Sequence, residues 1–514
     1  MKQSNRLLYF LALLKIIIPY FLQSPTYEPH RDELLILAEG HHLTWGYMEV
    51  PPLLSVFAWL TNLFGGGIFW IKLWPSLFGA ATYIVAGKLV QRLGGKSFAL
   101  LLLFLPFIFG VYLRIFFLLQ PNPLEIFFWL MIAYSIICFI QTNNIKWLYI
   151  FGVSVGLGLM SKYSIAFYIV SVCAALLLTS YRTIFLNKHF WFAALIATVI
   201  FLPNFIWQVK ANLPIAHHMK ELHDTQLKYV SAGSFLTDQL LMNLPCVFIW
   251  ITGLLYVFFA KDKRYRFVGF AYVFVLIILL IGHGKNYYAL GAYPVLFAFG
   301  AVEIERLTAV KRKVFRYALV AFSIVLGAFL TPLLLPMFPP QELADTYTKM
   351  GSGVQGGLKW EDQKIHPLPQ DFSDMLGWEE MAKKVGEAYK NLSEEERKKT
   401  IIFCDNYGMA GAVNYYAKKY NLPEVYSDNA SFLYWIPDSL QYDNIIVVTD
   451  DTDELHHDFT KNFRSKAIAD SIQTKFARER GDIICVFKGA NDAFKDFFKK
   501  KIAADKKEID YRSN

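Results

Sequence analysis

The sequence predicts an α-helical polytopic membrane protein that ends in a soluble α/β domain. Of its 514 residues, 55% are hydrophobic and only 18% are charged, which lies outside the range of an ordinary soluble protein. Long apolar runs recur as far as Met337, and alternating strand and helix patterns then replace them. We therefore divide the chain into a membrane domain, residues 1–338, and a tail, residues 339–514.

Eleven apolar runs predict the membrane-spanning helices. Each is close to the ~20 residues that cross a bilayer, although the runs near residues 150 and 275 are short. The runs cover residues 7–22, 68–90, 98–119, 123–141, 146–160, 163–180, 190–208, 240–260, 267–282, 286–302 and 315–337. We interpret the first run as a retained helix rather than a signal peptide, because no small-residue cleavage site follows it.

The placement of charge predicts the orientation in a plasma or inner membrane. With the N-terminus in the cytoplasm, every cytoplasmic connection carries Lys or Arg, and the last is the basic loop from Arg306 to Arg316. An odd number of spans then places the tail outside the cytoplasm. The membrane domain carries 26 Lys and Arg against 12 Asp and Glu, a net charge of +14, whereas the tail carries 25 against 30, so the +9 of the whole chain comes from the membrane domain. It therefore indicates basic cytoplasmic loops and not a nucleic-acid partner.

The first outer loop, residues 24–67, is rich in carboxylates. Five acids lie there in a region otherwise built for lipid: Glu28, Asp32, Glu33, Glu39 and Glu49. Residues 32–46 have near-helical apolar spacing, which predicts an amphipathic helix on the membrane surface. The Asp32-Glu33 pair fits N-terminal capping of that helix, and it also fits a general base that deprotonates an acceptor hydroxyl. Both interpretations can hold, each for a different member of the pair.

Further polar groups are predicted at the same membrane depth. They are Arg114 near the end of the third run, Lys162 and Tyr163 after the fifth run, and Lys285, Tyr287 and Tyr288 at the junction of the ninth and tenth runs. Lysines at helix ends often extend to the interface, and tyrosines at this depth belong to the usual aromatic belt. The functional alternative is that the cations hold an anionic phosphate, because irregular backbone around Lys285 is costly in lipid unless it lines a wet site.

Two loops contain candidate metal ligands. Glu49 precedes two prolines that stiffen the chain, and beside Asp32 it becomes a candidate substrate or metal contact. The second loop carries His217, His218, Glu221, His223 and Asp224. Its spacing matches no standard site, so a solvated amphipathic helix is the favoured interpretation. No CxxC or Cys/His spacing indicates structural zinc.

The tail is predicted to contain helices at 374–392, 408–420 and 493–502 and strands at 400–404, 444–448 and 482–487. Alternation of the two element types predicts a small α/β domain. Cys404 and Cys485 lie in separate predicted strands, and their pairing in an oxidising compartment stays open. The GxxG pattern from Gly408 to Gly411 is too weak to indicate nucleotide binding. The polar and aromatic segment 428–435 is either a packed loop or a contact for sugar or acceptor.

Five motifs in order carry a resemblance to a known family. They are RDEL with the following HHLTWGYMEVPPL, then LLQPNPLEIFFW, GLGLMSKYS, LPNFIWQ and GKNYYALGAYP, and together they cover essentially the whole chain. The chain resembles the bacterial branch of the dolichyl-phosphate-mannose protein mannosyltransferases (family 39), which are related to the lipid A aminoarabinose transferases and share the GT-C architecture. The resemblance implies a mannosyltransferase-like enzyme of the cell envelope that transfers a sugar from a polyprenyl-phosphate donor. It implies an acceptor hydroxyl on protein, lipid A or another glycan or glycolipid at the outer face, and inversion at the sugar.

Residue by residue, the resemblance implies that Asp32 is the general base, that Glu49 is its companion, and that Lys162 and Lys285 bind the lipid phosphate. The other candidate substrate contacts are Glu33, Arg114, Tyr163, Tyr287 and Tyr288. The chain departs from the family pattern at one position, where Asn122 replaces an aspartate that many relatives carry. That lost charge weakens the case for a divalent cation, Mg or Mn, for which Asp32 and Glu125 are the candidate ligands. No other cofactor is expected.

Two other function classes compete with a transferase. A transporter or lipid flippase tends to carry ionisable groups or broken helices near the membrane midplane, often in internal repeats. Here the charged groups gather at one face and no repeat is visible. A non-catalytic envelope assembly protein, with the tail as its working module, is the third class, and it requires that Asp32 be dispensable.

Overall fold

The structure is a computed structural model, and it describes residues 2–309, 313–438 and 441–508. Lys311 and Arg312 of the predicted basic loop lie outside the described residues.

The membrane domain contains sixteen described α-helices: α1 Lys2–Leu22, α2 Arg31–His41, α3 Leu53–Leu63, α4 Ile68–Arg92, α5 Ser97–Phe109, α6 Tyr112–Ile115, α7 Pro121–Thr142, α8 Lys146–Leu159, α9 Ile165–Leu177, α10 Lys188–Lys210, α11 Pro214–Thr225, α12 Ala232–Leu241, α13 Val247–Phe259, α14 Arg266–Ile281, α15 Tyr293–Leu307 and α16 Lys313–Leu334. Two 3-10 helices, Ser180–Leu186 and Asn286–Ala292, complete the parts used below.

Among the described residues, seven helices are long and apolar enough to cross a membrane, or up to nine if each of two bent pairs is one span. One pair bends by 113° after α9, and the other by 61° between α12 and α13. In two further predicted runs the longest helices are α5 and α8, of 13 and 14 residues, and the one-turn helix α6 follows α5 in the first of these runs. Each of the eleven predicted runs contains a helix, and the number of spans stays a prediction.

The described part of the tail contains eight α-helices and one five-stranded sheet. The helices are α17 Pro340–Met350, α18 Gln355–Leu358, α19 Gln370–Ser373, α20 Trp378–Lys390, α21 Glu394–Lys398, α22 Tyr407–Tyr420, α23 Phe432–Trp435 and α24 Asp492–Glu508. The strands are β1 Thr400–Cys404, β2 Val425–Tyr426, β3 Asn444–Thr449, β4 Phe463–Ser471 and β5 Ile483–Ala490. The strand order is β2-β1-β3-β5-β4, with β1 parallel to β2 and β3, and β5 antiparallel to β3 and β4. This arrangement confirms the predicted α/β class of the tail.

The sheet topology also decides whether Cys404 and Cys485 can form a disulfide. Cys404 in β1 is opposite Val448, and Cys485 in β5 is opposite Val447, so β3 lies between the two thiols. Two strand spacings separate their backbones by about 9–10 Å, whereas a disulfide needs Cα atoms within about 7 Å. Both cysteines are buried and free.

Helix α2 is enclosed rather than lying on the membrane surface, so the prediction of a surface helix is wrong. Two glycines allow its neighbours to approach closely. A Cβ at Gly40 would lie 2.7 Å from the backbone of Ala58 in α3, and one at Gly411 of α22 would lie 3.0 Å from Leu34 in α2. Leu34 is consequently fully buried. The GxxG pattern of the tail thus packs α22 against α2, and α2 lies between the membrane domain and the tail.

Candidate active site

A capping box fixes the start of α2. The His30 side chain accepts a hydrogen bond from the backbone N–H of Asp32 at 3.2 Å, and the Glu33 carboxylate accepts one from the N–H of His30 at 2.9 Å. Both contacts satisfy backbone donors that a helix start leaves without partners. The capping prediction is confirmed for Glu33, and the Asp32 side chain is left to point away from the helix end.

Glu33 has no surface from which to bind a substrate. Its two oxygens lie 2.8 and 2.7 Å from the Lys72 Nζ of α4, and the backbone N–H of Leu119 donates to it at 2.8 Å. Both charged side chains of the pair are fully buried. The predicted substrate contact is corrected here, because Glu33 instead ties α2 to the membrane helices.

Asp32 is held on both oxygens and remains open to solvent. The Tyr407 hydroxyl of the tail donates to Oδ1 at 2.9 Å, and the Gln120 amide of the membrane domain donates to Oδ2 at 2.9 Å. Its side chain is 39% exposed. Burial would raise the pKa of Asp32, but His30, Arg31 and the hydrogen bond from Tyr407 outweigh burial and lower that pKa. Asp32 is therefore an oriented, ionised carboxylate.

A chain of polar contacts runs from Asp32 into the membrane domain. The Gln120 oxygen accepts from the Asn122 amide nitrogen at 3.4 Å, and the Asn122 oxygen accepts from Lys162 Nζ at 2.7 Å. Asn122 donates in one direction and accepts in the other. An ionised aspartate only accepts, so it has no proton to give Gln120. The departure from the family pattern thus completes this chain of hydrogen bonds.

Lys162 is already neutralised by an acid. Glu125 accepts from Lys162 at 2.9 Å and from the Ser164 hydroxyl at 2.5 Å. The Lys162 Nζ also lies 4.5 Å from the ring centroid of Tyr288 and 5.6 Å from that of Tyr287. Lys162, Tyr287 and Tyr288 are thus brought together as predicted, with the lysine charge balanced by Glu125.

The predicted metal ligands Asp32 and Glu125 lie at opposite ends of this chain of contacts. Each of their carboxylates already has two protein donors. In the described ranges, they do not fall into any group whose ligand atoms converge on one point. A metal site made of these two residues does not fit the structure.

Lys285 differs from the other candidate cations. It is half-buried before the 3-10 helix Asn286–Ala292, and its ammonium makes no hydrogen bond or ion pair with any residue that the structure describes. Burial lowers the pKa of Lys285, while the charges of Glu361 and Asp32 act in the opposite direction. A cation near Asp32 with unused donors is suited to an anionic ligand.

Arg114 is engaged by the tail. Its guanidinium pairs with Asp371 and lies 5.6 Å from the ring of Phe372. Arg31 binds the tail at the same boundary, with its guanidinium 4.6 Å from the Tyr407 ring and 3.3 Å from Asn406 Oδ1. Arg31 therefore holds the tail against the first loop, and Arg114 of α6 holds it against the membrane helices.

Two other predicted site residues lie in separate networks. The Tyr163 hydroxyl donates to Asn204 at 3.1 Å and accepts from Gln208 at 2.8 Å, both in α10. Glu49 accepts from the backbone N–H of Ser431 at 2.7 Å and from its hydroxyl at 2.6 Å. Both hydrogen bonds that Glu49 receives thus come from the tail, and neither comes from the Asp32 cluster. Segment 428–435 is correspondingly packed against the first loop.

Sequence reasoning missed several residues of this site. Gln120 lay inside a motif that carried the family resemblance, but only its neighbours were considered. Tyr407 follows β1 at the carboxyl end of a parallel strand, which is where ligand contacts gather in α/β sheets. His30 lies between Asp371 and Asp374, with Nε2 3.8 Å from Asp371 Oδ1 and 3.9 Å from Asp374 Oδ2. These contacts join the tail to the first loop, and no local pattern reveals them.

Comparisons with known proteins agree with the fold. Residues 49–207 match the family model described as dolichyl-phosphate-mannose-protein mannosyltransferase. ArnT from Cupriavidus metallidurans bound to undecaprenyl phosphate matches with a TM-score of 0.62 and 12% identity, over 94% of this chain and 97% of that chain. The apo state of the same protein matches with a TM-score of 0.61 and 12% identity, over 94% and 98% of the two chains. No curated protein gave a significant sequence match. These matches confirm the predicted GT-C fold of a multi-pass membrane protein and the resemblance on which it was based.

The buried Glu33–Lys72 pair gives a stability prediction. Glu33→Gln leaves Lys72 without its countercharge, and losing one partner of a buried pair costs about 3–5 kcal/mol in the free energy of unfolding. We expect a large drop in the thermal unfolding midpoint of the purified protein. The double variant Glu33→Gln/Lys72→Met removes both charges and should recover part of that loss. The control Asp458→Asn breaks the exposed Asp458–Lys461 pair and should cost under ~1 kcal/mol. Equal midpoints for Glu33→Gln and Asp458→Asn would contradict the structural role of Glu33.

Proposed function

We propose that this GT-C protein is a membrane glycosyltransferase that moves a sugar from a polyprenyl-phosphate donor to an acceptor hydroxyl. The observation that carries the proposal is an ionised, solvent-open Asp32 whose charge acts on Lys285, a cation without a hydrogen-bond or ion-pair partner among the described residues. The first group is suited to removing a proton and the second to holding a phosphate. The similar fold of a protein that binds undecaprenyl phosphate supports a polyprenyl carrier. The acceptor is a hydroxyl of protein, lipid A or another glycan or glycolipid.

The reaction is a direct displacement at the anomeric carbon. The acceptor oxygen forms a bond to that carbon while the bond to the donor phosphate oxygen breaks, and the phosphate leaves with the bonding electrons. Asp32 accepts the acceptor proton, and attack from the face opposite the phosphate inverts the sugar. Because the pKa of Asp32 is lowered, the carboxylate takes the proton late, after bond formation has made the acceptor oxygen acidic.

Lys285 supplies a positive charge near the leaving phosphate, where negative charge develops during the reaction. The leaving phosphate gains negative charge as the sugar departs, and a preorganised cation nearby stabilises that charge more strongly in the transition state than in the donor. Lys162, by contrast, is balanced by Glu125 and bonded to Asn122. Its role in this proposal is to fix the polar chain that ends at Asp32, and Lys285 is the principal phosphate ligand.

Gln120 and Tyr407 orient the base. Each donates to a different oxygen of Asp32 and leaves further lone pairs free to accept the substrate proton. One donor comes from the membrane domain and the other from the tail. The base therefore has its full set of contacts only when the tail is docked.

The site is proposed to face away from the cytoplasm. The basic connections gather at one end of the membrane helices, whereas the carboxylate-rich first loop and the tail pack together at the other. This placement leaves the donor in the membrane and the acceptor at its outer surface. Mass spectrometry of envelope lipids, glycans and glycoproteins from cells with and without the protein identifies the product by the mass of the missing sugar.

Asp32→Asn tests the base. The amide retains most of the shape but cannot accept the proton, so we expect the transfer rate to fall by about 10²–10⁴-fold. The measurement is the yield of the sugar-modified product in cells that lack the wild-type protein and carry each variant at equal membrane levels. The exposed tail residue Asp345, changed to Asn, is the matched control and should leave the yield unchanged. Wild-type yield from a folded Asp32→Asn protein would exclude Asp32 as the base.

Lys285→Ala tests the phosphate contact. A charge-assisted hydrogen bond contributes about 1.5–3 kcal/mol, so affinity for undecaprenyl phosphate should fall by roughly 10–100-fold. Binding is measured on the purified protein by native mass spectrometry or by quenching of tryptophan fluorescence. Lys228→Ala removes an exposed cation from the loop after α11 and should leave affinity unchanged. Equal affinities for the two variants would exclude Lys285 as the phosphate ligand.

A further inference from the structure

We infer that His30, Asp371 and Asp374 form a zinc site that joins the tail to the first loop. One ligand atom from each residue lies within 4.8 Å of the other two. His30 caps α2, Asp371 lies in α19, and Asp374 immediately follows that helix. The site therefore needs both parts of the protein, and it lies beside Asp32. Its test does not depend on the transfer reaction proposed above, because binding is measured without turnover.

His30 provides the observation that points to a ligand. Its side chain is only 4% exposed, and Nε2 is buried without a hydrogen-bond partner among the residues that the structure describes. The nearest acceptors, on Asp371 and Asp374, are 3.8 and 3.9 Å away, beyond hydrogen-bond reach. A buried polar atom without a partner costs about 1–3 kcal/mol. A cation between the three side chains would satisfy Nε2 and both carboxylates together.

Each carboxylate directs one oxygen toward His30. Asp371 gives Oδ2 to Arg114 and turns Oδ1 toward His30. Asp374 Oδ2 lies 3.9 Å from His30 Nε2, and Arg478 Nη1 donates to Asp374 Oδ1 at 3.3 Å and more weakly to Oδ2 at 3.5 Å. The two arginines thus orient both carboxylates, as groups around a metal centre commonly orient its ligands. They also balance the two negative charges when no cation is bound.

The distances fit a small cation after a modest contraction. Zinc bonds of about 2.0–2.2 Å in a tetrahedral arrangement place neighbouring ligand atoms roughly 3.4 Å apart. The two His30 distances, 3.8 and 3.9 Å, must shorten by about 0.4–0.5 Å to meet that requirement, and the two carboxylate oxygens, which lie within 4.8 Å of each other, must approach by rotation of both aspartate side chains. A nitrogen ligand with two carboxylate oxygens favours zinc over magnesium or calcium, which prefer all-oxygen sites. The fourth position is left for water.

Zinc also fixes the proton on the other ring nitrogen. With the metal on Nε2, the remaining proton of a neutral imidazole lies on Nδ1. The nearest carboxylate oxygen to Nδ1 is Asp32 Oδ2, at 3.8 Å. The contact with the Asp32 backbone N–H is then replaced by a hydrogen bond to its side chain, which gives a carboxylate–histidine–zinc arrangement. Zinc therefore acts on the proposed base through the orientation of His30.

The test uses the full chain with an affinity tag that contains no histidine. The protein is stripped with a chelator, titrated with zinc against a chromophoric competitor, and measured for bound zinc by mass spectrometry of the element. We expect one tightly bound zinc per chain and a higher thermal unfolding midpoint when zinc is present. Asp371→Asn/Asp374→Asn should weaken zinc binding by at least about 100-fold and abolish the rise in the midpoint.

The chain offers a matched control in a second trio of ligand-type residues. Asp451, Glu454 and His457 also converge, but His457 and Asp451 are exposed. Asp451→Asn/His457→Ala should retain the tightly bound zinc. X-ray absorption of the zinc-loaded wild-type protein should show nitrogen and oxygen neighbours and no sulfur, which tests the site even if the double variant at Asp371 and Asp374 does not fold. Loss of zinc in the Asp451/His457 variant alone, or failure of the wild type to retain one zinc per chain against the competitor, would overturn the inference.

Discussion

The structure depends on one carboxylate that receives a hydrogen bond from each of its two parts. Asp32 is bonded by Gln120 of the membrane domain and by Tyr407 of the tail, while its own helix lies between them. This constraint explains why α2 is so closely packed, with glycines where neighbouring helices approach it. It also explains the salt bridges at the boundary, since any shift of the tail would remove one donor from Asp32. The proposed base is thus positioned by docking as well as by local structure.

The distribution of charge around Asp32 separates positioning groups from ligand groups. Lys72, Lys162 and Arg114 each pair with an acid of the protein, on α2, α7 and α19 respectively. Lys285 has no such partner among the described residues, although the charge of Asp32 acts on it. Leaving a half-buried cation unpaired costs free energy in the unliganded protein, and a bound phosphate would recover that cost. In this interpretation, the free cation defines where the donor binds.

Much of this arrangement could be predicted from the sequence because its signals are local. Apolar runs located the membrane helices, and β1 and β3 began at the predicted residues because buried strands are rich in Ile and Val. Strand β4 was missed because it lies at an edge and is mostly exposed, so its pattern is polar. The helical pattern of α2 was found, but its burial was not, because the tail that covers it lies far away in sequence.

The candidate site shows the same limit. Motif order identified Asp32, Lys162 and Lys285, but spacing alone could not tell that Lys162 is paired and Lys285 is not. The role of Asn122 could likewise not be predicted. An asparagine in place of an aspartate indicates only a lost charge until the two hydrogen-bond partners of the asparagine are known. Long-range contacts of this kind depend on packing that no short window of sequence encodes.

The most direct measurement of the central claim is an experimental structure of the protein with undecaprenyl phosphate bound. We expect a phosphate within about 4 Å of Lys285 Nζ, the distance at which an ion pair forms, with Asp32 facing the adjacent acceptor space. A phosphate bound elsewhere, with Lys285 still unpaired, would contradict it.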